Sequence, residues 1–162
     1  MRTCFVLVAV FGLLNGFVAA EDSSMSVTLV GLDGQQHILT IFELDALPRV
    51  KSSANEHGTA HVLEGALLGD VLAKVSAPAG KTIHGIELSD VVIVEARDGY
   101  KVALDLAGTD ASMRVDRVIL ADRIDGSTLA ADKGPFQLVV EGDLRPARAV
   151  HMVSAIRLQR VQ

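Results

Sequence analysis

The sequence predicts an α+β domain that is mostly β-sheet. Short apolar or alternating runs recur along nearly the whole chain, and each is closed by a turn rich in Gly, Asp or Asn. Alternation with period two is the mark of a strand with one face buried. Only one stretch carries a clear helical period: Leu67, Leu68, Val71, Leu72 and Val75 fall on one side of a helix. No repeat, low-complexity tract or long linker divides the chain, so residues 21–162 are expected to form one domain.

The elements follow in order. Ser26 to Val30 alternates, Leu32-Asp33-Gly34-Gln35 supplies a turn, and His37 to Ile41 resumes the pattern, which together predict a hairpin. Phe42 to Leu47 reads as a short helical turn stopped by Pro48. Val50 to Ser53 and Ala60 to Leu63 are predicted strands on either side of the polar tip Asn55-Glu56-His57-Gly58. The helix near 67–76 has Asp70 close to its start, where the dipole favours an anion, and Pro78 and Gly80 end it. Val91 to Ala96 is nearly continuous in apolar residues and predicts a strand buried on both faces. Asp98-Gly99 turns into Tyr100 to Leu104. Val115 to Ala121, Phe136 to Val140 and Ala149 to Leu158 complete the strands.

The first twenty residues have another character. Arg2 precedes the apolar run Cys4 to Leu14, Asn15-Gly16 breaks it, and Val18-Ala19-Ala20 offers small residues before Glu21-Asp22. That is the layout of a secretory signal peptide, and the run is short of the roughly 20 residues a membrane span needs. Cleavage near Ala20 is expected to release a periplasmic or secreted protein of 142 residues, with no membrane span. It would lose Arg2, moving the net charge from −5 to −6, and Cys4, the single cysteine. A cysteine-free chain has no disulfide and no thiolate metal ligand, so its hydrophobic core must hold it together. Its acidic balance, few aromatics and lack of a basic stripe argue against nucleic acid as partner.

Seven phrases then occur in order: Leu44 to Pro48; Glu64-Gly65-Ala66-Leu67-Leu68-Gly69-Asp70-Val71-Leu72; Ala96-Arg97-Asp98-Gly99-Tyr100; Ile119 to Asp122; Asp125-Gly126 through Leu129; Gly134-Pro135-Phe136-Gln137-Leu138-Val139-Val140; and Arg145 to Val150 followed by Ile156. Together, from about Val27 to Leu158, they resemble the oxidoreductase molybdopterin-binding domain of the sulfite oxidase type. The resemblance implies an α+β, largely sheet fold with a β-grasp-like element. In the enzymes it further implies a pterin cofactor whose molybdenum is held by one cysteine thiolate, placed between the early hairpin and the Gly-x-x-Leu-x-Asp helix. The matching stretch here, Lys51 to Thr59, is shorter than in the full enzymes and contains no cysteine. A serine hydroxyl has too high a pKa to replace a soft thiolate easily. The haem and dimerisation domains that sulfite oxidases can carry have no counterpart in this sequence. The resemblance therefore implies a scaffold without its metal ligand, with no cofactor expected although molybdopterin itself stays possible.

Charge supplies the site candidates. From Leu144 to Gln162 stand Arg145, Arg148, Arg157, Arg160 and His151, without one Asp or Glu, a local reversal of sign. Arg145 and Arg148 match the family's basic phrase, where the enzymes approach the pterin phosphate, and the planar fork of arginine suits phosphate or carboxylate. The alternative is a solvated face whose arginines pair with neighbouring acids. Arg157 and Arg160, three apart on a strand, point to opposite faces. Tyr100 and Arg97 sit in the family's turn and are further cofactor-site candidates, though a turn and a packed ring would explain them equally. His57 and His61, with Glu56 directly before the first, invite a metal reading, yet on a strand the two histidines would lie about 13 Å apart. Asp122 to Gly126 reads as a charged turn. No nucleophile elbow, phosphate loop or dinucleotide glycine pattern occurs, and no catalytic residue is assigned.

Three readings follow. The preferred one is an exported, non-catalytic domain binding a small anionic ligand or a periplasmic protein partner in the former cofactor cleft. The second is a molybdopterin-dependent oxidoreductase with a non-cysteine or open metal site. The third is an interaction module of a periplasmic sensing or electron-transfer system.

Overall fold

A computed structural model describes residues 25–56 and 58–161. Residues 1–24, which hold the expected signal peptide, His57 and Gln162 lie outside the described residues. Two five-stranded sheets and two short helices make up the domain. In the first sheet, β1 (Ser26–Val30) and β2 (Gln36–Thr40) form the expected antiparallel hairpin. β1 also runs parallel to the last strand, β10 (Val153–Arg160), which pairs with β5 (Asp90–Ala96), and β6 (Lys101–Asp105) closes the far edge. In the second sheet, β3 (Arg49–Glu56) and β4 (Thr59–Leu67) form a long hairpin. β4 pairs with β7 (Val118–Ile124), which also carries β8 (Ser127–Thr128) and β9 (Gln137–Val140).

Helix α1 (Ile41–Asp45) starts where the side chain of Thr40 accepts from the Glu43 N–H while the Glu43 carboxylate accepts from the Thr40 N–H. This reciprocal pair satisfies two otherwise open donors. The predicted helix at 67–76 is α2 (Leu68–Leu72) followed by a 3₁₀ turn over Ala73–Val75. It is short because Leu67 still belongs to β4 and offers no capping side chain, while Ser76 takes the left-handed conformation that ends the element.

The main core lies between the sheets. Val27, Leu29, Leu39, Val92, Val94 and Ile156 reach it from the first sheet, and Ala66, Leu120 and Leu138 from the second. Leu68, Val71 and Leu72 of α2 and the fully buried Phe136 complete it. A smaller cluster of Leu63, Ile119, Ala121 and Val139 sits on the opposite face of the second sheet, with Val50 and Ala54 packed against it. That sheet is curled: Ser53, Ala54 and Asn55 of β3 line a small cavity with Val139, Val140 and Gly142.

Three expectations are corrected. β5 is not buried on both faces; Asp90, Val92, Val94 and Ala96 are buried while Val91, Ile93 and Glu95 are half-buried, because nothing among the described residues covers the outer face of the first sheet completely. β7 begins at Val118 instead of Val115, whose side chain is almost wholly exposed, and β10 begins at Val153 instead of Ala149, after Met152 in a left-handed conformation. Apolar character alone extended both strands too far, since a loop valine costs little in water. Among the described residues no helix is long and apolar enough to cross a membrane.

Candidate functional site

The basic phrase after β9 builds one wall of a cleft of about 820 Å³. Arg145 is extended, as a residue before proline prefers, and Pro146 opens a 3₁₀ turn over Pro146–Arg148. Leu144, Arg145, Pro146 and Ala149 line the cleft from this side. Lys133, His151 and Asn55 enter from the loop before β9, the approach to β10 and the β3–β4 tip. Three cationic or protonatable groups thus share one concavity with a carboxamide and several apolar side chains, the mixture that small-molecule sites use. Asp143 also lines the cleft, but its carboxylate is already taken.

The four residues expected at a cofactor site have different fates. Arg145 is in the cleft, exposed and without a carboxylate partner among the described residues. Arg148 is turned onto Asp143 in a two-point fork, its Nε 2.9 Å from one oxygen and its Nη2 on the other. The hydrogen bond to Asp143 raises the Arg148 pKa and ties residues 143–148 into a closed loop. Tyr100 is half exposed, and its hydroxyl donates to the Ala147 carbonyl at 2.6 Å, bracing the same loop from outside. Arg97 lines a separate pocket of about 410 Å³ with Ile41, Asp122, Leu129 and Pro135. Its backbone N–H donates to the Met152 carbonyl.

The remaining arginines of the C-terminal segment are paired. Arg157 meets Glu95 at 3.4 Å, and Arg160 makes two bonds, 2.7 and 2.8 Å, to the fully buried Asp90. The two acids lie on opposite faces of β5, which follows from the three-residue spacing. Asp122 is buried and bound to Arg49 at 2.5 Å. Burial opposes the Arg49 charge, but the Asp122 hydrogen bond and the charges of Asp122, Asp45 and Glu64 outweigh it and raise its pKa. His61 Nδ1 lies 2.7 Å from Asp125. That hydrogen bond, with a second from the Val62 N–H, holds the Asp125 carboxyl below the usual range. Among the described residues no three His, Cys, Asp or Glu side chains gather around a common point.

Sequence reasoning missed Lys133 and Asn55 as cleft residues. Lys133 directly precedes Gly134-Pro135 and carries no motif of its own, and Asn55 reads as part of the polar tip between two strands. Their shared signal was only that both are polar residues at loop ends, and only the curl of β3 toward the 143–149 loop brings them together.

No protein-family model matches the sequence, and no curated protein matches it. Among solved structures, the chain is similar to the sulfane dehydrogenase SoxCD from Paracoccus pantotrophus, with a TM-score of 0.61 and 19% sequence identity. The fold is that of the sulfite oxidase type. The match covers 87% of this chain and 40% of the other, so this chain spans well under half of that protein's length. With this fold the pterin cofactor is testable against the residues present. The cations at the cleft suit an anionic phosphate end. The metal end does not fit: the stretch matching the cysteine loop contains no cysteine, and its described residues up to Glu56 and from Thr59 pair as β3 and β4. Ser52, the buried hydroxyl of that stretch, lies on the face of β3 that carries Val50 and Ala54 toward the small core cluster, away from the cleft.

Proposed function

We propose that this protein is an exported, non-catalytic domain that binds a small anionic ligand in the cleft beside Arg145. The observation that supports this reading is the pairing pattern of the basic segment. Arg148, Arg157 and Arg160 are each neutralised by an acid, while Arg145 faces the cleft without one among the described residues. An arginine left without a counter-ion beside Lys133 and His151 favours a phosphate- or carboxylate-bearing guest. The missing thiolate argues against redox work at molybdenum, and the fold itself carries no activity.

The test is calorimetric titration of the secreted protein with pyrophosphate and with glycerol phosphate. Binding is expected in the wild type, with about tenfold weakening in Arg145→Ala and in Lys133→Ala. Equal heats in all three proteins would refute the cleft as the site. The same preparation, made in a host that synthesises molybdopterin, is assayed for molybdenum and pterin. Stoichiometric metal would overturn the non-catalytic reading in favour of an oxidoreductase with an unusual ligand.

A further inference from the structure

A second concavity of about 400 Å³ lies under the loop that leads into β7, separate from the Arg145 cleft. Its wall is formed by Leu67 at the end of β4 and by Met113, Arg114, Val115, Asp116 and Arg117. Two features set it apart from an ordinary solvated loop. The first is charge: Arg117 has no carboxylate within ion-pair distance among the described residues, and its guanidinium donates to the Lys51 carbonyl at 2.6 Å. Arg114 is fixed by the carbonyls of Gly108 and Glu141 at 3.2 and 3.0 Å, with Asp116 at 3.9 Å. Asp116 is the single carboxylate residue among those lining the groove, beside Arg114 and Arg117. The Glu141 carboxylate sits behind it on the Arg117 backbone N–H.

The second feature is the backbone. The N–H groups of Arg114, Val115 and Asp116 have no acceptor among the described residues, so three successive donors stand open beside the arginines. Successive open N–H groups make concavities that hold anions. Around them the groove is apolar, and the side chains of Met113 and Val115 are 46% and 97% exposed, surface that an occupant would cover.

We infer that this groove binds a carboxylate carried on an apolar chain, whether a free aliphatic acid or the C-terminal carboxylate of a peptide. Arg117, whose guanidinium has no carboxylate within ion-pair distance among the described residues, and the open N–H groups take the carboxylate, and Met113, Val115 and Leu67 take the chain. Arg114 is a positioning residue, since its donors already hold the loop to Gly108 and Glu141.

The experiment uses ¹⁵N-labelled protein titrated with hexanoate, hexanamide, acetyl-Leu-Leu and acetyl-Leu-Leu-amide. Hexanoate and the free dipeptide acid are expected to shift the amides of residues 113–118 in a saturable way, and the two amides are not. The ratio of the two acids' affinities separates the sources: a preference for the peptide identifies a chain terminus, and a preference for hexanoate a free acid. Arg117→Gln should weaken binding about tenfold. Val115→Asp changes an exposed side chain, so it leaves the fold intact, and its added charge should abolish binding. Arg145→Ala, which tests the other cleft, should leave these shifts unchanged. Shifts equal for acids and amides, shifts confined to the Arg145 cleft, or unaltered binding in Val115→Asp would each overturn the inference.

Discussion

Replacing Gly65 by alanine should unfold a substantial part of this protein's stability, although the change adds one methyl group. A Cβ built at Gly65 lies 2.0 Å from the Leu120 carbonyl oxygen and 2.6 Å from the Ala121 Cα. These are backbone atoms, so no side-chain rotation relieves the contact. Ordinary contact begins near 3.4 Å, so β4 and β7 must part by about 1.4 Å at the centre of their pairing, between Glu64 and Leu67. Normal strand spacing is about 4.8 Å, and an opening of that size breaks the two neighbouring ladder hydrogen bonds. Two bonds at about 1 kcal/mol each, plus disturbed packing of the adjoining core residues Ala66 and Leu120, give a loss of about 3 kcal/mol. Domains of this size are stable by about 5–15 kcal/mol, so the effect is large. With a urea slope of about 1.5 kcal/mol per molar, the midpoint should fall by about 2 M, read by far-ultraviolet circular dichroism. Gly69 is the control in the same phrase of sequence. It lies inside α2 with nothing within 4 Å of its Cβ position, so Gly69→Ala should stabilise by about 0.5–1 kcal/mol. An unchanged midpoint for Gly65→Ala, or the same sign for both variants, would refute the reasoning.

Three further outcomes are expected. Phe136→Ala, at the largest fully buried side chain, should cost about 3–5 kcal/mol in the same urea titration, while ligand binding in the surviving folded fraction persists. Asp125 has its pKa lowered chiefly by the hydrogen bond from His61, so the ionised form favours the folded state above the ordinary carboxylate value of 3.8 and that advantage fades as pH falls below it. Asp125→Asn should therefore be less stable than wild type at pH 6, with the gap closing as pH falls below the ordinary carboxylate value of 3.8 in thermal melts across pH. Arg148→Gln should leave overall stability nearly unchanged but raise amide exchange at residues 143–148, because the fork to Asp143 closes that loop.

Most of the scaffold could be read from the residues. The β1–β2 hairpin, α1 before Pro48, the site of α2 and the order of the strands follow from period, caps and turn glycines, which act over a few residues. The resemblance extended this to the fold, since seven phrases in order fix which local elements occur. Strand ends were legible only roughly, because Val115 and Ala149 are apolar without being buried.

The candidate site was legible in its charge and not in its geometry. Sequence marked Arg145 and Arg148 alike, three apart in one basic phrase; the fold gave Asp143 to Arg148 and left Arg145 facing a cleft. It likewise spent Arg160 on buried Asp90 and placed Arg97 in another pocket. The amino-acid sequence by itself determined the sheet-rich class, the absence of a cysteine from the stretch 51–59 and the excess of positive charge near the C-terminus, because these depend on composition and short-range pattern. Only the tertiary structure decided which cations are neutralised and which residues share a cleft. Ion pairing depends on distances of a few ångströms between groups far apart in sequence, 70 positions for Asp90 and Arg160 and 73 for Arg49 and Asp122, and the pairing of strands sets those distances.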